Sequence, residues 1–212
     1  FVVVWITGTD GSGPGIAARR FGADGTALSG ELTVADVPAQ DQLMPAIAIN
    51  PVSGDYTVTW TSWFTINNSY GIEARTFAAN GTPRAAEWAV NVTGPRDQAN
   101  SAIAYSADGT GMIVWQNRNI AGNWDVYGRM LNASGNAASG EILIATGAAN
   151  EYDAVVSADD SGHFVVAWTT DGGADVTDVR ARVINPGGGF RTGEIAVNTT
   201  TAHEQEAASV AM

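Results

Sequence analysis

The chain of 212 residues contains neither cysteine nor lysine. Without cysteine it can form no disulfide, no thiolate metal site and no thiol nucleophile. All ten basic residues are arginines, against 22 acidic residues, so the net charge is −12. Because such a surface repels phosphate backbones and anionic lipid, nucleic acid and membrane partners are not expected.

Long hydrophobic runs are missing as well. The longest, residues 1–6, is too short to cross a bilayer, so no membrane insertion is expected. Glycine, in contrast, is abundant at 25 of 212 residues, together with many Asn, Asp, Ser and Thr residues. This composition is typical of a chain with many tight turns.

The main signal is an internal repeat. Four apolar segments end in tryptophans spaced 55, 55 and 53 residues apart: Trp5, Trp60, Trp115 and Trp168. An arginine follows each tryptophan by 14 or 15 residues: Arg19, Arg75, Arg129 and Arg182. A glutamate follows each arginine by 12 residues: Glu31, Glu87, Glu141 and Glu194. Three landmarks in four registers indicate four copies of one structural unit.

Each copy has the pattern of four short strands, A to D, in which strand B ends at the tryptophan and strand C carries the arginine. Asp-Gly and Asn-Gly turns flanked by apolar residues predict hairpins between them. We therefore predict an all-β fold: a four-bladed β-propeller with four antiparallel strands per blade, as a single domain over 1–212. The repeat units span about 45–97, 98–149, 150–204, and 205–212 joined with 1–44.

The chain opens in a strand B and stops after a strand A. Pairing of the C-terminal strand, residues 209–212, with the N-terminal strand, residues 1–5, would complete a blade and close the ring. Closure removes exposed sheet edges. The alternative is that the chain is a fragment of a longer repeat array.

The recurring residues have structural and functional interpretations. Each arginine and its glutamate lie symmetrically about the C–D turn, which predicts a cross-strand ion pair rather than a repeated anion site. The tryptophans are expected to pack between blades. Amides recur before each strand A: Gln42, Gln98, Asn150 and Gln205. They would ring one mouth of the central channel, where they either bind a polar ligand or ion or form hydrogen bonds between blades.

The four B–C loops differ most among the copies, which places binding on the face formed by the B–C and D–A loops. One loop carries Trp63, Asn67, Asn68 and Tyr70, and another carries Asn119, Trp124 and Asp125. Aromatic rings beside amides and acids suit a sugar, because the ring stacks on C–H groups while polar groups bind hydroxyls. Alternatively, both tryptophans fold down over the blade ends.

Few residues suggest catalysis or metal binding. The two histidines, His163 and His203, lack zinc-site spacing, and no cofactor is expected. Calcium could bind the acidic A–B turns, but none carries the full calcium-loop pattern. Asp171 with Asp175, or Asp159 with Asp160, could supply the acid pair of a glycoside hydrolase.

Residues 45–60 (PAIAINPVSGDYTVTW) and 71–91 (GIEARTFAANGTPRAAEWAVN) resemble a tandem repeat of large secreted and cell-surface proteins of bacteria. Its pattern is V-V-x-W, then I-x-A-R-x-F-x-x-x-G, then E-x-x-V-N, and the resemblance covers the whole chain in four copies. The resemblance implies propeller blades in an exported bacterial protein that binds or displays, and it specifies no activity.

Together these observations predict a non-catalytic extracellular binding module, lectin-like or adhesive, whose partner is a glycan or another cell-surface polymer. The first alternative is a structural or display repeat of a longer bacterial surface protein with no small ligand. The second is a glycoside-acting enzyme.

Overall fold

The computed structural model of the protein describes residues 1–8, 13–36, 41–64, 68–92, 94, 96–171, 176–200 and 202–212. The described residues form fifteen strands in four antiparallel sheets, which follow one another along the chain and are named blades 1 to 4. This confirms an all-β chain of four sheets, consistent with a four-bladed propeller. No helix in the described part of the chain could span a membrane.

Blade 1 has three strands and the others have four. Blade 1 comprises β1 (Val2–Thr7), β2 (Gly15–Arg20) and β3 (Leu32–Thr33). Blade 2 comprises β4 (Gln42–Ile49), β5 (Tyr56–Phe64), β6 (Ser69–Phe77) and β7 (Trp88–Ala89). Blade 3 comprises β8 (Gln98–Tyr105), β9 (Gly111–Arg118), β10 (Trp124–Leu131) and β11 (Ile142–Ala145). Blade 4 comprises β12 (Asn150–Ala158), β13 (Phe164–Asp171), β14 (Thr177–Ile184) and β15 (Ile195–Ala196).

The predicted C–D turns are present in all four blades. Each contains a glycine in the left-handed region at the same position: Gly25, Gly81, Gly135 and Gly188. In blade 2 the Gly81 N–H donates to the Ala78 carbonyl at 2.7 Å, which closes the turn. Glycine is favoured at these positions because a side chain at positive φ is strained.

Hydrophobic clusters join consecutive blades. Trp60, Trp115 and Trp168 are fully buried, and each packs on the preceding blade, as predicted. In blade 1 the corresponding face has no preceding blade in the described structure. Phe1 and Val3 there are 59% and 44% exposed, and Trp5 is only half-buried.

The recurring arginines contact the preceding blade as well as their own. Arg75 Nη1 donates to the Val34 carbonyl at 2.8 Å, and Arg182 Nη1 donates to that of Ile144. The glutamates accept from the backbone near the same strand ends: Glu87 Oε2 accepts the Asp36 N–H and Glu141 Oε1 the Val92 N–H, both at 2.7 Å.

The ion pair predicted within each blade therefore needs correction. Arg75 forms its salt bridge with Asp36 of blade 1, at 2.7 Å, and Arg180 is the arginine that faces Glu194, at 3.9 Å. Arg75 and Glu87 thus both bond to the segment that directly follows β3, the outer strand of blade 1, and spacing within one blade cannot reveal such a contact.

Ring closure is not confirmed. Residues 204–212 form no strand, and β1 pairs only with β2. The C-terminal segment instead lies beside blade 4, where the Gln205 N–H donates to the Thr177 carbonyl at 3.0 Å. The Gln42 N–H makes the equivalent contact with the Pro14 carbonyl of blade 1 at 2.9 Å. The segment thus repeats one contact that the inner strand of blade 2 makes with blade 1.

Candidate functional site

Three adjoining hollows of about 350, 250 and 150 Å³ open between blades 2 and 3, on the side of the B–C loops. We call them together the blade 2–3 cleft. Its polar and aromatic lining includes Tyr70, Arg96, Gln98, Asn117, Arg118 and Tyr127. Of the predicted site residues, Asn68, Tyr70, Gln98 and Asn119 line this cleft, so it brings together one B–C loop from each blade and one of the recurring amides.

A chain of amides connects the two blades at the base of the cleft. The Asn91 amide donates to Gln98 Oε1, and Gln98 Nε2 donates to Asn117 Oδ1, both at 2.8 Å. Asn91 Oδ1 in turn accepts the Ile72 N–H at 2.6 Å. Gln98 is only 2% exposed, so it fixes the cleft wall and links the blades, which supports the inter-blade interpretation of this amide.

Asp125 lies directly behind this wall. It pairs with Asn117 across the β9–β10 ladder and shares a strand face with Tyr127, and both of these neighbours line the cleft. Asp125 is 4% exposed, and its Oδ1 has no hydrogen-bond partner in the described structure. A buried carboxylate oxygen without a donor is costly, and a water molecule or a ligand that donates to it would remove that cost.

Two aromatic rings of blade 2 stand together at the edge of the cleft. Trp63 and Tyr70 pair across β5 and β6, with ring centroids 4.8 Å apart in an edge-to-face arrangement. Tyr70 lines the cleft, and both rings are half-buried. The predicted aromatic platform is therefore an indole packed on a phenol, of which the phenol reaches the cleft.

The rim of the cleft carries charged groups. Asp97 Oδ1 accepts the Tyr70 N–H at 3.2 Å, and its Oδ2 lies 3.8 Å from Arg118 Nη1. Arg96 Nη1 donates to the Asn119 carbonyl at 3.0 Å. The sequence patterns did not point to four residues of the cleft: Arg96, Arg118, Asn117 and Tyr127. The two arginines could have been noticed, because they depart from the repeat pattern and lie beside a divergent loop.

The remaining predicted site residues lie elsewhere. Trp124 shares its strand face with Val126, which packs against blade 4, so it is not beside Trp63. Gln42 Oε1 accepts the Ile16 N–H of blade 1, and Asn150 Oδ1 accepts the Trp124 N–H of blade 3. Gln205 contacts blade 4 through Thr177. Asn67 lies outside the described residues.

Other acidic residues are less suited to a site. Burial, and secondarily the charge of Glu87, raise the pKa of Glu73 from 4.5 to about 7, but Glu73 lines none of these hollows. Asp159 contacts the His163 ring at 2.9 Å in an A–B turn, and Asp171 accepts the Asn150 amide at 3.2 Å. Asp175 is outside the described residues. Among the residues described, no group of three or more acids or histidines could hold a metal ion.

A further hollow, of about 410 Å³, opens on the opposite face between the same blades. Its carboxylate, Asp55, is occupied by Arg84 through two hydrogen bonds of 2.9 Å. None of the predicted site residues lies there. The blade 2–3 cleft is therefore the better candidate for the functional site.

The fold is shared with solved structures. The structure named Hadza microbial sialidase Hz136 has a TM-score of 0.64 at 12% identity, covering 95% of this chain and 44% of that one. An arabinofuranosidase of Fusarium graminearum, described as GH93 and in complex with arabinobiose, has 0.60 at 11%, covering 90% and 60%. A protein of unknown function from Dyadobacter fermentans has 0.63 at 14%, covering 86% and 50%.

These similarities show the fold. The chain spans 44% of the length of the sialidase and 50% of the length of the Dyadobacter fermentans protein. No family model and no curated protein matches significantly, so no family match confirms the resemblance to tandem surface-protein repeats. The expectation of a non-catalytic module is contradicted, because the neighbours with a named activity are glycoside-acting enzymes, including also an endo-arabinase.

Proposed function

We propose that the chain acts on carbohydrate as a glycoside-cleaving enzyme, with the blade 2–3 cleft as its substrate site. The observation that carries this proposal is Asp125, whose buried carboxylate has an oxygen without a partner behind a cleft lined by polar and aromatic groups. A substrate hydroxyl that reaches Asp125 Oδ1 would donate the missing hydrogen bond, and in its protonated form Asp125 would instead donate to a glycosidic oxygen.

Glycoside hydrolysis requires two carboxyl groups, one that protonates the leaving oxygen and one that activates water or attacks the anomeric carbon. We assign the first role to Asp125 and the second to Asp97. Asp97 precedes Gln98, which pairs with Asn117, which in turn pairs with Asp125. β9, which carries Asn117, therefore lies between β10, which carries Asp125, and β8, which Asp97 directly precedes.

Neutral groups of the cleft suit the rest of a saccharide. Tyr70, supported by Trp63, offers an aromatic face for C–H groups, and the exposed amide of Asn68 can bind hydroxyls. The shared fold of a sialidase and of an arabinofuranosidase with bound arabinobiose supports a carbohydrate as the ligand.

The test is turnover of a panel of nitrophenyl glycosides and plant and microbial oligosaccharides, followed by reducing-end release. Asp125→Asn and Asp97→Asn should each lower kcat/KM at least about 100-fold, because general acid–base groups contribute factors of this size. Asp108→Asn, which alters an A–B turn of the same blade on the opposite face, serves as the matched control. No turnover on any substrate, or full turnover by Asp125→Asn, would refute the proposal.

The proposal also includes closure of the propeller ring and export of the protein from a bacterial cell. The contact of Gln205 with Thr177 and the left-handed backbone of Ala207, which matches Met44, Asn100 and Asp153 in the inner strands, support an inner-strand position for residues 205–212. Slow hydrogen exchange of the β1 amides that point away from β2 would indicate that this segment pairs with β1, and fast exchange of those amides would exclude it. An exported bacterial setting rests on the repeat resemblance and is tested by detecting the protein outside its native cells.

A further inference from the structure

Two arginines at the rim of the blade 2–3 cleft belong to no repeat position. Four of the ten arginines are the recurring residues, of which Arg75, Arg129 and Arg182 bond to the preceding blade. Arg84, Arg180 and Arg191 face Asp55, Asp178 and His163, and Arg20 donates to the Asn80 carbonyl. Of the arginines that the structure describes, only Arg96 and Arg118 line the blade 2–3 cleft. Both line the same two of its three hollows.

Backbone carbonyls hold both guanidinium groups in place. Arg96 Nη1 donates to the Asn119 carbonyl at 3.0 Å, and Arg118 Nε donates to the Gly122 carbonyl at 3.3 Å. A guanidinium has five N–H donors, so each side chain is anchored while it retains further donors for a ligand. The arginines are thus positioned by the B–C loop of blade 3.

The rim has an excess of positive charge. Arg118 lies 3.8 Å from Asp97, and Arg96 has no ion-pair partner within 4 Å in the part of the chain that the structure describes. The rim therefore carries two guanidinium groups and one carboxylate, in a protein whose net charge is −12. Because the local charge is positive where the rest of the protein is negative, this rim attracts an anionic group that the rest of the surface repels.

We propose that the cleft takes an acidic saccharide, whose carboxylate or sulfate group binds Arg96 and Arg118 at the rim. The planar fork of arginine matches both anions, and these charge-assisted hydrogen bonds are the strong ones. Asn68 lies on the same rim and adds an exposed amide. This inference rests on the proposed function only in that the same cleft binds carbohydrate.

The test measures binding by calorimetry with Asp125→Asn, so that turnover does not interfere. The probes are galactose oligomers of one length in three forms: neutral, oxidised to the uronic acid, and sulfated. At least one acidic form should bind at least about tenfold more tightly than the neutral form, and 0.5 M salt should reduce that difference. The form that binds more tightly distinguishes carboxylate from sulfate.

Arg96→Gln and Arg118→Gln, added singly to Asp125→Asn, should each lower the affinity for the acidic form toward that for the neutral form. Arg191→Gln, an exposed arginine of blade 4, is the matched control and should change nothing. Equal affinity for all three probes, no binding of any probe, or unchanged affinity in both arginine variants would overturn the inference. Arginine-dependent binding without turnover by the unsubstituted chain would instead refute the proposed enzyme and leave this inference standing.

Discussion

The guanidinium of Arg129 in blade 3 donates a hydrogen bond of 2.6 Å to the carbonyl oxygen of Val90 in blade 2. Its Nε also donates to the Ser139 carbonyl of its own blade at 3.0 Å, and its charge lies 5.8 Å from the centre of the Trp88 ring. One side chain thus joins β10 and the C–D turn of its own blade to the outer edge of the preceding blade. The same arrangement relates Arg75 to Val34, so blade stacking depends on these arginines as well as on apolar packing.

Arg129→Gln should lower the free energy of unfolding by about 1–3 kcal/mol, because the buried Val90 carbonyl loses its donor. Urea unfolding followed by tryptophan fluorescence measures the change. Arg191→Gln removes an exposed arginine and should stay within about 0.5 kcal/mol of the parent. Equal stability of both variants would show that the inter-blade bond contributes nothing.

Two glycines with similar positive φ angles allow the cost of backbone strain to be measured separately from the cost of a steric clash. Gly135 and Gly122 have φ of 76° and 92°. A Cβ on Gly135 would lie 2.9 Å from Thr57 Oγ1 and still closer to Thr76 Oγ1, whereas a Cβ on Gly122 meets nothing within 4 Å.

Gly122→Ala should therefore cost about 1 kcal/mol from the left-handed backbone alone. Gly135→Ala should cost several times more, since it also forces apart the hydroxyl pair Thr57–Thr76, which lies 2.9 Å apart. Thermal unfolding of both variants tests this difference. Similar melting temperatures would mean that the Thr57 and Thr76 side chains move aside freely.

Glu73 should make stability depend on pH. Burial in the fold, with Glu87 as the second cause, raises its pKa to about 7 from an ordinary 4.5, while Ser62 and Trp60 partly oppose the shift. Between these two pH values the folded state holds a proton that the unfolded state has released. Raising the pH through this window therefore lowers the free energy of unfolding.

Glu73→Gln removes this titration. The variant should gain stability relative to the parent as the pH rises from 5 to 8, by up to a few kcal/mol, and should match it near pH 4. Melting temperatures of both proteins across this range are the measurement, with Glu31→Gln as the control because Glu31 is exposed. Parallel pH curves for parent and Glu73→Gln would contradict the assigned pKa.

The repeat allowed the fold to be predicted because blades are local units. The Trp60, Arg75 and Glu87 series sets strand order and turn positions within each blade, and these features recur four times in the structure. What the series could not indicate was the partner of each landmark. Arg75 and Glu87 both bind the preceding blade, and sequence spacing carries no information on contacts between units.

The structure brings together only some of the residues that the divergent B–C loops suggested. Asn68, Tyr70, Asn119 and Asp125 lie in or behind one cleft. Trp124 is separated from them because its side of β10 faces blade 4. Strand alternation decides that separation, and a one-residue difference in register reverses the face.

A one-residue difference also decides which residue of blade 4 is equivalent to the recurring amide. Gln42, Gln98 and Glu151 pair with Ser62, Asn117 and Thr170, each two residues after the blade tryptophan, so Glu151 and not Asn150 is the structural equivalent. An inner-strand bulge precedes the regular pairing in all three strands. Blade 4 therefore holds a carboxylate where the others hold an amide.

Glu151→Gln should restore the amide without loss of hydrogen bonds. Glu151 accepts from Trp168 Nε1 at 2.6 Å and from the Thr170 hydroxyl at 3.0 Å. A glutamine Oε1 can accept from the indole while its Nε2 donates to the hydroxyl. Glu151→Leu, the matched control, leaves the indole N–H without an acceptor and should be less stable than Glu151→Gln by about 1–3 kcal/mol at every pH.

The advantage of Glu151→Gln over the parent should grow as the pH rises. Desolvation raises the pKa of Glu151 above its ordinary 4.5, despite the opposing hydrogen bonds from Thr170 and Trp168. The folded parent therefore retains a proton above pH 4.5 that the unfolded chain has lost, and its stability falls as the pH rises through that range. Melting temperatures at pH 4, 6 and 8 measure the difference. If Glu151→Gln is less stable than the parent at pH 8, the carboxylate–indole hydrogen bond outweighs the cost of burying the charge.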